Sequence, residues 1–396
     1  MIQASARELI LVLNCGSSSI KFALFATGET PLARTAAWSG KVEGITSATP
    51  TFSADDIPAT PLTLEPDRPY AAALTYLREC ILGRLDGRRI VAVGHRVVHG
   101  GSKYFAPVRV DAAVLADLKS YIPLAPLHQP FALEAIAALL TAQPELPQIA
   151  CFDTAFHQTM PTVEKMLPLP RSAWDEGLRR YGFHGLSYAY LAQVLGERHA
   201  DVAHGRIIVA HLGSGASLCA MHDLHSVATS MGFSALDGLM MGTRCGALDP
   251  GAVIYLMEIR KLSLEQVARM LYHESGLLGV SGLSSDPRVL LQHEDTLPVR
   301  EALALYVRSI VRQVGALTAA LNGLELLAFT AGIGEHNAAI RERVCAGLGF
   351  LGITIDPEAN AANASVISTA SSKVRVVVEP TNEEWIAASA AAKFLA

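Results

Sequence analysis

Two stretches of the chain share one pattern of apolar and polar positions. The apolar run at residues 9–13 ends at a turn of small polar residues, 14–19, and a second apolar run follows at 20–25. Residues 206–221 repeat the pattern around a turn at 211–215. Short apolar runs bounded by turn residues predict strands. Each stretch therefore predicts a strand, a tight turn and a returning strand, and the repeat suggests a duplicated α/β domain.

Other segments of the chain show the periodicity of helices. Apolar positions recur every three or four residues at 112–120, 131–140 and 301–321, and residues 383–396 are rich in Ala. Strands alternating with helices predict an α/β architecture. Residues 46–69, with many Thr, Pro and Asp, predict surface hairpins.

The chain length predicts two domains. A chain of 396 residues exceeds what one core usually serves, and a cleft between two domains is the default place for a ligand. A composition break at residues 143–148, which contain Pro144 and Pro147, is the candidate boundary.

Composition and charge exclude several classes of protein. With 51% hydrophobic and 17% charged residues, the chain can bury enough apolar surface to fold. A formal net charge of -5 and no basic run exclude a nucleic-acid surface. We find no pattern typical of an export signal or membrane span and expect a cytoplasmic protein. The 6 cysteines, none in a CxxC pair, indicate neither a disulfide framework nor a zinc site.

Three glycine-bearing turns after apolar runs are candidates for phosphate binding. The turn at 14–19 precedes Lys21, and the other two are at 211–215 and 332–336. Small side chains let backbone N–H groups approach phosphate oxygens, and a lysine supplies a cation. An ordinary hairpin remains the alternative for the first turn. Neither a Walker motif nor a dinucleotide-binding GxGxxG motif is present.

Several charged and imidazole side chains are candidates for catalysis. Arg96 and Arg244 lie near glycines, where a guanidinium can form paired hydrogen bonds with a carboxylate or phosphate. Asp153 follows a predicted strand, where carboxylates of open α/β sheets commonly act. His128 and His184 lie in turn-like contexts. Surface ion pairs for the arginines and buried structural imidazoles remain the alternatives.

Acidic residues also begin the last predicted helix. Residues 381–384 fit a helix cap with acids in the first turn, which is the simplest interpretation. The alternative is a carboxylate ligand for Mg²⁺, which prefers hard oxygen donors.

Taken together, these stretches resemble the acetokinase family of the actin-like ATPase superfamily. The shared motifs are VLNCGSSSIKF, GHRVVHGG, LAPLHQP, FDTAFHQTMP, YGFHGLS, HLGSGAS, MGTRCGALDPG, GLSSDPR, TAGIGEHN and PTNEEW, in the family's order. The resemblance implies two actin-like (ribonuclease H-like) domains with a cleft between them, residues 1–151 with 381–396 and residues 152–380. It also implies a homodimer that transfers the γ-phosphoryl group of ATP reversibly to acetate, giving acetyl phosphate and ADP, with Mg²⁺ or Mn²⁺.

The resemblance implies a metal and nucleotide site. Asn14 and Glu383 occupy the family's metal positions, and Lys21 occupies the position that faces the nucleotide phosphates. The nucleotide-binding segments are implied to be His211, Leu212, Gly213, Ser214 and Gly215, then Asp286, Pro287 and Arg288, then Gly332, Ile333, Gly334, Glu335 and His336. Ser214 and His336 each stand where Asn is usual.

The resemblance also implies roles in catalysis. Arg96 binds the substrate carboxylate, Asp153 is the residue labelled catalytic, and His184 and Arg244 stabilise the transition state with His128 beside them. A short carboxylic acid has a pKa of about 4 to 5, so the acceptor is already an anion at neutral pH. We therefore hypothesise that Asp153 orients the metal, its waters or the arginines rather than removing a proton.

The acyl pocket departs from the family pattern. It is implied to be lined by Arg96, Val98, Leu127, Phe183 and Ala235. Ala235 stands where Pro is common, and the smaller residue predicts room for one more methylene and hence activity on propionate. Discrimination of one methylene is worth only about 1 to 3 kcal/mol. Propionate or butyrate kinase is the alternative within the enzyme class, and a non-catalytic nucleotide-gated binding protein is the alternative outside it.

Overall fold

A computed structural model describes residues 8–126 and 128–395 of the chain. Leu127, predicted for the acyl pocket, lies outside the described residues. The strands are β1 (Glu8–Cys15), β2 (Ser19–Ala26), β3 (Trp38–Glu43), β4 (Thr51–Ala54), β5 (Ile57–Pro61), β6 (Arg89–Val97), β7 (Val108–Arg109), β8 (Gln148–Phe152), β9 (Arg206–Leu212), β10 (Ala216–His222), β11 (His225–Thr229), β12 (Leu326–Thr330) and β13 (Arg375–Val378).

Helices connect and cover these strands. They are α1 (Pro69–Gly83), α2 (Ala112–Ser120), α3 (Gln129–Ala142), α4 (Thr162–Lys165), α5 (Arg171–Asp175), α6 (Gly185–Arg198), α7 (Ala200–Ala203), α8 (Pro250–Glu258), α9 (Leu264–His273), α10 (Gly276–Ser281), α11 (Pro287–Leu290), α12 (Leu297–Leu321), α13 (Ala331–His336), α14 (Ala338–Gly347), α15 (Pro357–Ala361) and α16 (Glu383–Lys393). Short 3₁₀ turns occur at Ile122–Leu124, Ala155–Thr159 and Gly349–Leu351.

The strands form two sheets with the same central topology. The first sheet has the order β5-β4-β3-β2-β1-β6-β8-β7, and the second has the order β11-β10-β9-β12-β13. In the first, β1 pairs antiparallel with β2 and parallel with β6, which is parallel to β8. In the second, β9 pairs antiparallel with β10 and parallel with β12, which is parallel to β13. The duplication predicted from the two strand-turn-strand stretches is therefore confirmed.

The chain divides into two compact units. The first contains Met1–Ala155 and Asn382–Ala396, and the second contains Phe156–Thr381. The boundary after Ala155 lies beyond the boundary predicted at the composition break, residues 143–148. The reason is that β8 pairs with β6 and so belongs to the first sheet. This boundary lies four residues beyond the end of the predicted first domain at residue 151, and the second boundary lies one residue after the predicted return at 381.

Helix α16 returns the end of the chain to the first sheet, where it packs on β1, β6 and β8. Gly94 on β6 makes this close packing possible, because a Cβ there would lie 2.9 Å from the carbonyl oxygen of Ala387. Two residues further along β6 is Arg96, so the same contact places the start of α16 near this arginine.

In the second unit the core is built around β9, β10, β12 and α12. Every residue of β12 is buried, as are Tyr306, Ile310 and Val314 on one face of α12. No helix in the described parts of the chain combines the length and apolar character needed to cross a bilayer.

Candidate active site

In the first unit, Arg96 lies at the centre of a network of polar side chains. Its Nε and Nη2 donate to the two carboxylate oxygens of Asp153 at 2.9 and 2.6 Å. Its Nη1 donates to Asn14 Oδ1 at 3.3 Å and lies 3.3 Å from Glu383 Oε2. The structure therefore brings together four side chains that the sequence predicted for one site.

Strand register explains this convergence. Asn14 is the partner of Arg96 on the parallel strands β1 and β6, and of Lys21 on the antiparallel strands β1 and β2. Cross-strand partners project from the same face of a sheet. Asp153 follows β8, and its backbone N–H donates to the carbonyl of Val97 at the end of β6. The site thus lies where parallel strands end, as expected for an open α/β sheet.

Burial and charge compete in this network. Burial disfavours the charge on Arg96, but Asp153 and Glu383 outweigh it and raise the pKa of the guanidinium above its ordinary value. Burial raises the pKa of Glu383 to about 7, with Arg96 opposing the rise and Asp153 and Glu384 adding to it. The carboxylates of Asp153, Glu383 and Glu384 face the cations Arg96 and Lys21, so one negative charge is in excess when all are ionised.

The helix cap predicted at residues 381–384 is confirmed. Asn382 Oδ1 accepts a hydrogen bond from the N–H of Trp385 at 2.9 Å, and Glu383 is the first residue of α16. Capping by Asn382 and the contact of Glu383 with Arg96 coexist, because they use different side chains.

The oxygen atoms near Arg96 are suitable ligands for a magnesium ion. Asn14 and Glu383 offer amide and carboxylate oxygens, the hard ligands that Mg²⁺ prefers, and the excess negative charge favours a cation. Within residues 8–126 and 128–395, no group of three or more His, Cys, Asp or Glu side chains is arranged to hold a metal. Two protein oxygens still suit Mg²⁺, since it usually keeps several waters and binds substrate phosphates.

In the second unit, two predicted histidines stack on each other. The rings of His184 and His211 lie 4.2 Å apart with an angle of 16° between their planes. His184 Nδ1 is 2.8 Å from Ser217 Oγ, and His211 Nδ1 is 2.9 Å from Ser187 Oγ. Both imidazoles are buried and each is held by a serine hydroxyl.

Gly215 explains how Arg244 and His184 approach the same turn. A Cβ at Gly215 would lie 3.2 Å from His184 Nε2 and 3.6 Å from Arg244 Nη1, so glycine leaves the space that these groups occupy. Arg244 Nη1 also donates to the carbonyl of Ala235 at 3.1 Å. The predicted transition-state residues of this unit therefore meet at the turn predicted to bind nucleotide.

One remaining nucleotide segment adjoins this turn, and the other adjoins the Arg244 loop. A Cβ at Gly213 would lie 3.7 Å from that of Ala331, the first residue of α13. A Cβ at Gly242, beside the Arg244 loop, would lie 3.1 Å from the carbonyl oxygen of Ser285, just before Asp286.

The prediction of a loop at residues 332–336 is wrong, because these residues belong to helix α13. Both ends of this short helix are held by side chains. Glu335 Oε1 accepts from the N–H of Ala331 at 2.7 Å, and Arg341 Nη1 donates to the carbonyls of Gly334 and Glu335, each at 2.9 Å. Gly332 and Gly334 predict a turn, but these side-chain contacts stabilise a helix.

Arg288 folds back onto the cap of its own helix. Asp286 accepts from the N–H of Arg288 at 2.8 Å and pairs with its guanidinium at 2.6 Å. Pro287, between them, is buried. His336 is largely exposed, with its Nε2 3.8 Å from Glu335 Oε2.

The structure gives the positions of the other predicted residues but does not test their roles. His128 precedes α3 as its N-terminal cap residue. Val98 follows β6 in the first unit, whereas Phe183 and Ala235 lie in the second. Their assignment to an acyl pocket remains a prediction.

Sequence reasoning missed three hydroxyl side chains. Ser187, Tyr188 and Ser217 are each fully buried and contact the predicted histidines or one another. Ser187 is the last residue of the motif YGFHGLS, and Ser217 is the last residue of HLGSGAS. These motifs are the sequence signal that could have identified the two serines.

Comparison with known proteins identifies the family. The model of the Acetokinase family matches residues 9–389. The chain belongs to the acetokinase family. An acetate kinase from Rhodopseudomonas palustris is 48% identical over 387 residues, covering 96% of this chain and 97% of that protein. An acetate kinase from Methylocella silvestris is 47% identical over 390 residues, covering 96% of each.

Solved structures confirm the predicted fold class of two actin-like α/β domains. A propionate kinase from Francisella tularensis superposes with a TM-score of 0.88 at 35% identity, covering 97% of this chain and 98% of that one. The acetate kinase of Porphyromonas gingivalis gives a TM-score of 0.84 at 36% identity, covering 98% and 100%. The predicted membership in a kinase family is therefore confirmed.

Proposed function

We propose that this protein transfers the γ-phosphoryl group of ATP to the carboxylate of acetate, giving acetyl phosphate and ADP, and catalyses the reverse reaction. The observation that carries the proposal is the family match over residues 9–389 together with near full-length similarity to acetate kinases. The network around Arg96 and the cluster around His184 supply the groups that this chemistry needs.

The reaction replaces one phosphorus–oxygen bond by another. A carboxylate oxygen of acetate forms a bond with the γ-phosphorus, and the bond from that phosphorus to the β–γ bridging oxygen breaks, leaving its electron pair on ADP. No proton moves, since acetate is an anion at neutral pH. Repulsion between two anions is the main obstacle, and positioned cations reduce it in a loose, in-line transition state.

The contacts of Asp153 support a positioning role. Both of its carboxylate oxygens accept hydrogen bonds from Arg96, and the side chain is 2% exposed. A carboxylate held in this way fixes the guanidinium that is predicted to bind acetate. Asp153 thus orients Arg96 instead of acting as a general base.

We assign the metal to Asn14 and Glu383. When bound there, Mg²⁺ would neutralise phosphate charge, and Mn²⁺ has a similar preference for oxygen ligands. Lys21 lies on the same face of the sheet and adds a second cation.

The nucleotide segments belong to the second unit. The turn at 211–215 adjoins the start of α13, and the residue before Asp286 adjoins Gly242 of the Arg244 loop, which supports a shared ATP site. The turn at 213–215 is a loop of small residues, the kind that approaches phosphate closely.

Propionate kinase is the second candidate function. Two observations favour it: the similarity to the Francisella propionate kinase and the small side chain of Ala235. Because one methylene changes discrimination by about 1 to 3 kcal/mol, we expect propionate to be used, but less efficiently than acetate.

We also propose a homodimer in the cytoplasm. Helix α8 has no buried residue, and apolar side chains on and after it are exposed: Ile254 at 55%, Tyr255 at 52%, Ile259 at 63% and Leu264 at 66%. Exposed apolar side chains grouped on a surface are typical of a protein interface. Sedimentation analysis should give a dimer mass for the wild type and a monomer mass for Ile254→Glu; a monomeric wild type contradicts the dimer.

A hydroxamate assay tests the function. Purified protein is mixed with ATP, Mg²⁺ and hydroxylamine in the presence of acetate, propionate or butyrate, and acyl hydroxamate and ADP are measured. We expect product with acetate, less with propionate, and about 10²- to 10³-fold slower product formation by the matched variant Arg244→Ala. No acyl phosphate from any acid would overturn the proposal in favour of a nucleotide-gated binding protein.

A further inference from the structure

Three buried side chains of the second unit form a continuous hydrogen-bonded chain. The hydroxyl of Tyr188 on α6 is 2.5 Å from Ser217 Oγ on β10, and Ser217 Oγ is 2.8 Å from His184 Nδ1. Tyr188 and Ser217 are both 0% exposed. Neither carries a role in the proposed function so far.

The chemistry of these groups favours one direction for the protons. A phenol is far more acidic than an aliphatic hydroxyl and is the better donor, so Tyr188 donates to Ser217. The serine proton is then directed to His184 Nδ1, which acts as the acceptor. In a neutral imidazole the other nitrogen carries the proton, so Nε2 is the donor.

His184 Nε2 lies at the turn that the proposed function assigns to the nucleotide phosphates. It lies beside Gly215, at 3.2 Å from where a Cβ would be, and Arg244 Nη1 lies near the same position at 3.6 Å. An N–H at this position can stabilise an anionic phosphoryl oxygen, whereas a lone pair would repel it.

The neighbouring histidine disfavours a charge on both rings at once. His211 stacks on His184 at 4.2 Å, and two imidazolium charges at that separation in a buried site repel each other. His211 is itself held through Nδ1 by Ser187. The stack and the hydroxyl chain together fix the orientation of the His184 ring.

The backbone of His184 adds a reason for side-chain support. His184 has φ 60° and precedes α6 in the left-handed region, which is uncommon for residues other than glycine. Such a conformation persists only where surrounding contacts hold it, and it often occurs at functional sites. Ser217 provides one of those contacts.

We propose that Ser217 and Tyr188 are positioning residues that hold His184 as the neutral tautomer with the proton on Nε2, directed at the transferring phosphoryl group. This inference rests on the proposed function, since it assigns a purpose to the orientation of His184. Ser217 acts directly on the imidazole, and Tyr188 acts through Ser217.

Kinetics of three variants test the proposal. Ser217→Ala should lower kcat about 10- to 100-fold at saturating substrates, because a misplaced catalytic group slows chemistry more than binding. The KM values for acetate and ATP should change by less than about threefold. Tyr188→Phe keeps the ring and should lower kcat by a smaller factor. The double variant should be no slower than Ser217→Ala, because Tyr188 acts through Ser217.

Tyr306→Phe is the matched control. Tyr306 is a buried tyrosine of the same unit, 1% exposed, whose hydroxyl has no hydrogen-bond partner in the described part of the chain. It lies outside the site, and its variant should keep the wild-type kcat. A control variant as slow as Tyr188→Phe would overturn the proposal, because loss of any buried hydroxyl would then have the same effect.

A spectroscopic measurement separates this inference from the function. ¹⁵N NMR of the imidazole nitrogens in the full chain, with the His184 signals identified by their loss in His184→Asn, should show a protonated Nε2 and an unprotonated Nδ1. In Ser217→Ala the two tautomers should mix. A proton on Nδ1 in the wild type, or unchanged kcat in both single variants of an active enzyme, would overturn the inference. An inactive wild type with the expected tautomer would instead contradict the proposed function.

Discussion

Arg96 in the first unit and His184 in the second are both held by neighbouring side chains, but by partners of different kinds. Arg96 is surrounded by Asp153, Glu383 and Asn14, so its partners are mainly charged. His184 is held by the hydroxyl of Ser217 and by the ring of His211, which are uncharged groups when the histidines are neutral.

The difference separates two ways of holding a functional side chain. A buried charge needs an opposite charge for the unit to fold, so the first network serves stability and chemistry together. Neutral hydrogen bonds around His184 orient a group without that requirement. We therefore expect substitutions in the first network to affect folding and turnover, and substitutions of the phosphoryl-facing groups in the second to affect mainly turnover.

The largest effect is expected for Arg96→Ala. Removal of the guanidinium leaves Asp153 and Glu383 without their cation in a buried site, which typically costs about 3 to 5 kcal/mol. Turnover on acetate should also fall by orders of magnitude, since the predicted carboxylate ligand is lost. Steady-state kinetics and urea unfolding check both expectations; wild-type stability would show that charge pairing does not support the fold.

Arg244→Ala should affect turnover alone. Its guanidinium donates to a backbone carbonyl, Ala235, and lies beside Gly215. Loss of one group that stabilises transition-state charge typically lowers kcat about 10²- to 10³-fold. ATP affinity, measured by calorimetry, and the urea midpoint should stay near the wild-type values. An unchanged kcat would remove Arg244 from the mechanism.

Much of the first site could be predicted from the sequence, because its residues follow strands whose ends meet in a parallel sheet. Asn14 and Arg96 are each the last residue but one of such a strand, and Asp153 directly follows one. The support around His184 could not be predicted in the same way, since Ser217 is 33 residues from it and lies in a strand whose pattern indicates core. The ends of α13 are held by hydrogen bonds from Arg341 and to Glu335, which the local composition does not reveal.

Ala235→Pro tests the selectivity between acetate and propionate, where we expect a smaller effect. A bulkier residue at this position should reduce kcat/KM for propionate relative to acetate by about 10-fold, within the range that one methylene usually provides. The ratio of the two kcat/KM values is the measurement, and Arg96 provides no discrimination because both acids carry the same carboxylate. An unchanged ratio would exclude Ala235 from the pocket.

The smallest expected effect is on folding stability at low pH, and it comes from buried histidines, which both units contain. Burial lowers the pKa of His95 in the first unit and of His157 in the second to about 4, although hydrogen bonds oppose the shift. The unfolded chain keeps the ordinary value of 6.5 and takes up protons first as the pH falls. Stability is therefore lost from about pH 6.5 towards pH 4, by about 1 kcal/mol per histidine between pH 7 and 5.5.

His95→Gln checks this expectation. A glutamine amide can still donate to Gln148, which lies 2.9 Å from His95 Nε2, but it does not titrate. Urea unfolding at pH 7 and 5.5 should show a loss of stability smaller by about 1 kcal/mol in the variant. An equal loss in both proteins would mean that His95 does not contribute to acid sensitivity.

The central claim is that Asp153 orients Arg96 and takes no proton from the substrate. The most direct measurement compares kcat of Asp153→Asn and of the wild type at several pH values from about 8 to 9.5, above the pKa of about 7 of Glu383. The account predicts a slower variant whose ratio to the wild type stays constant over this range. A ratio that rises with pH until the variant matches the wild type would contradict it, because hydroxide would then replace Asp153 as a base.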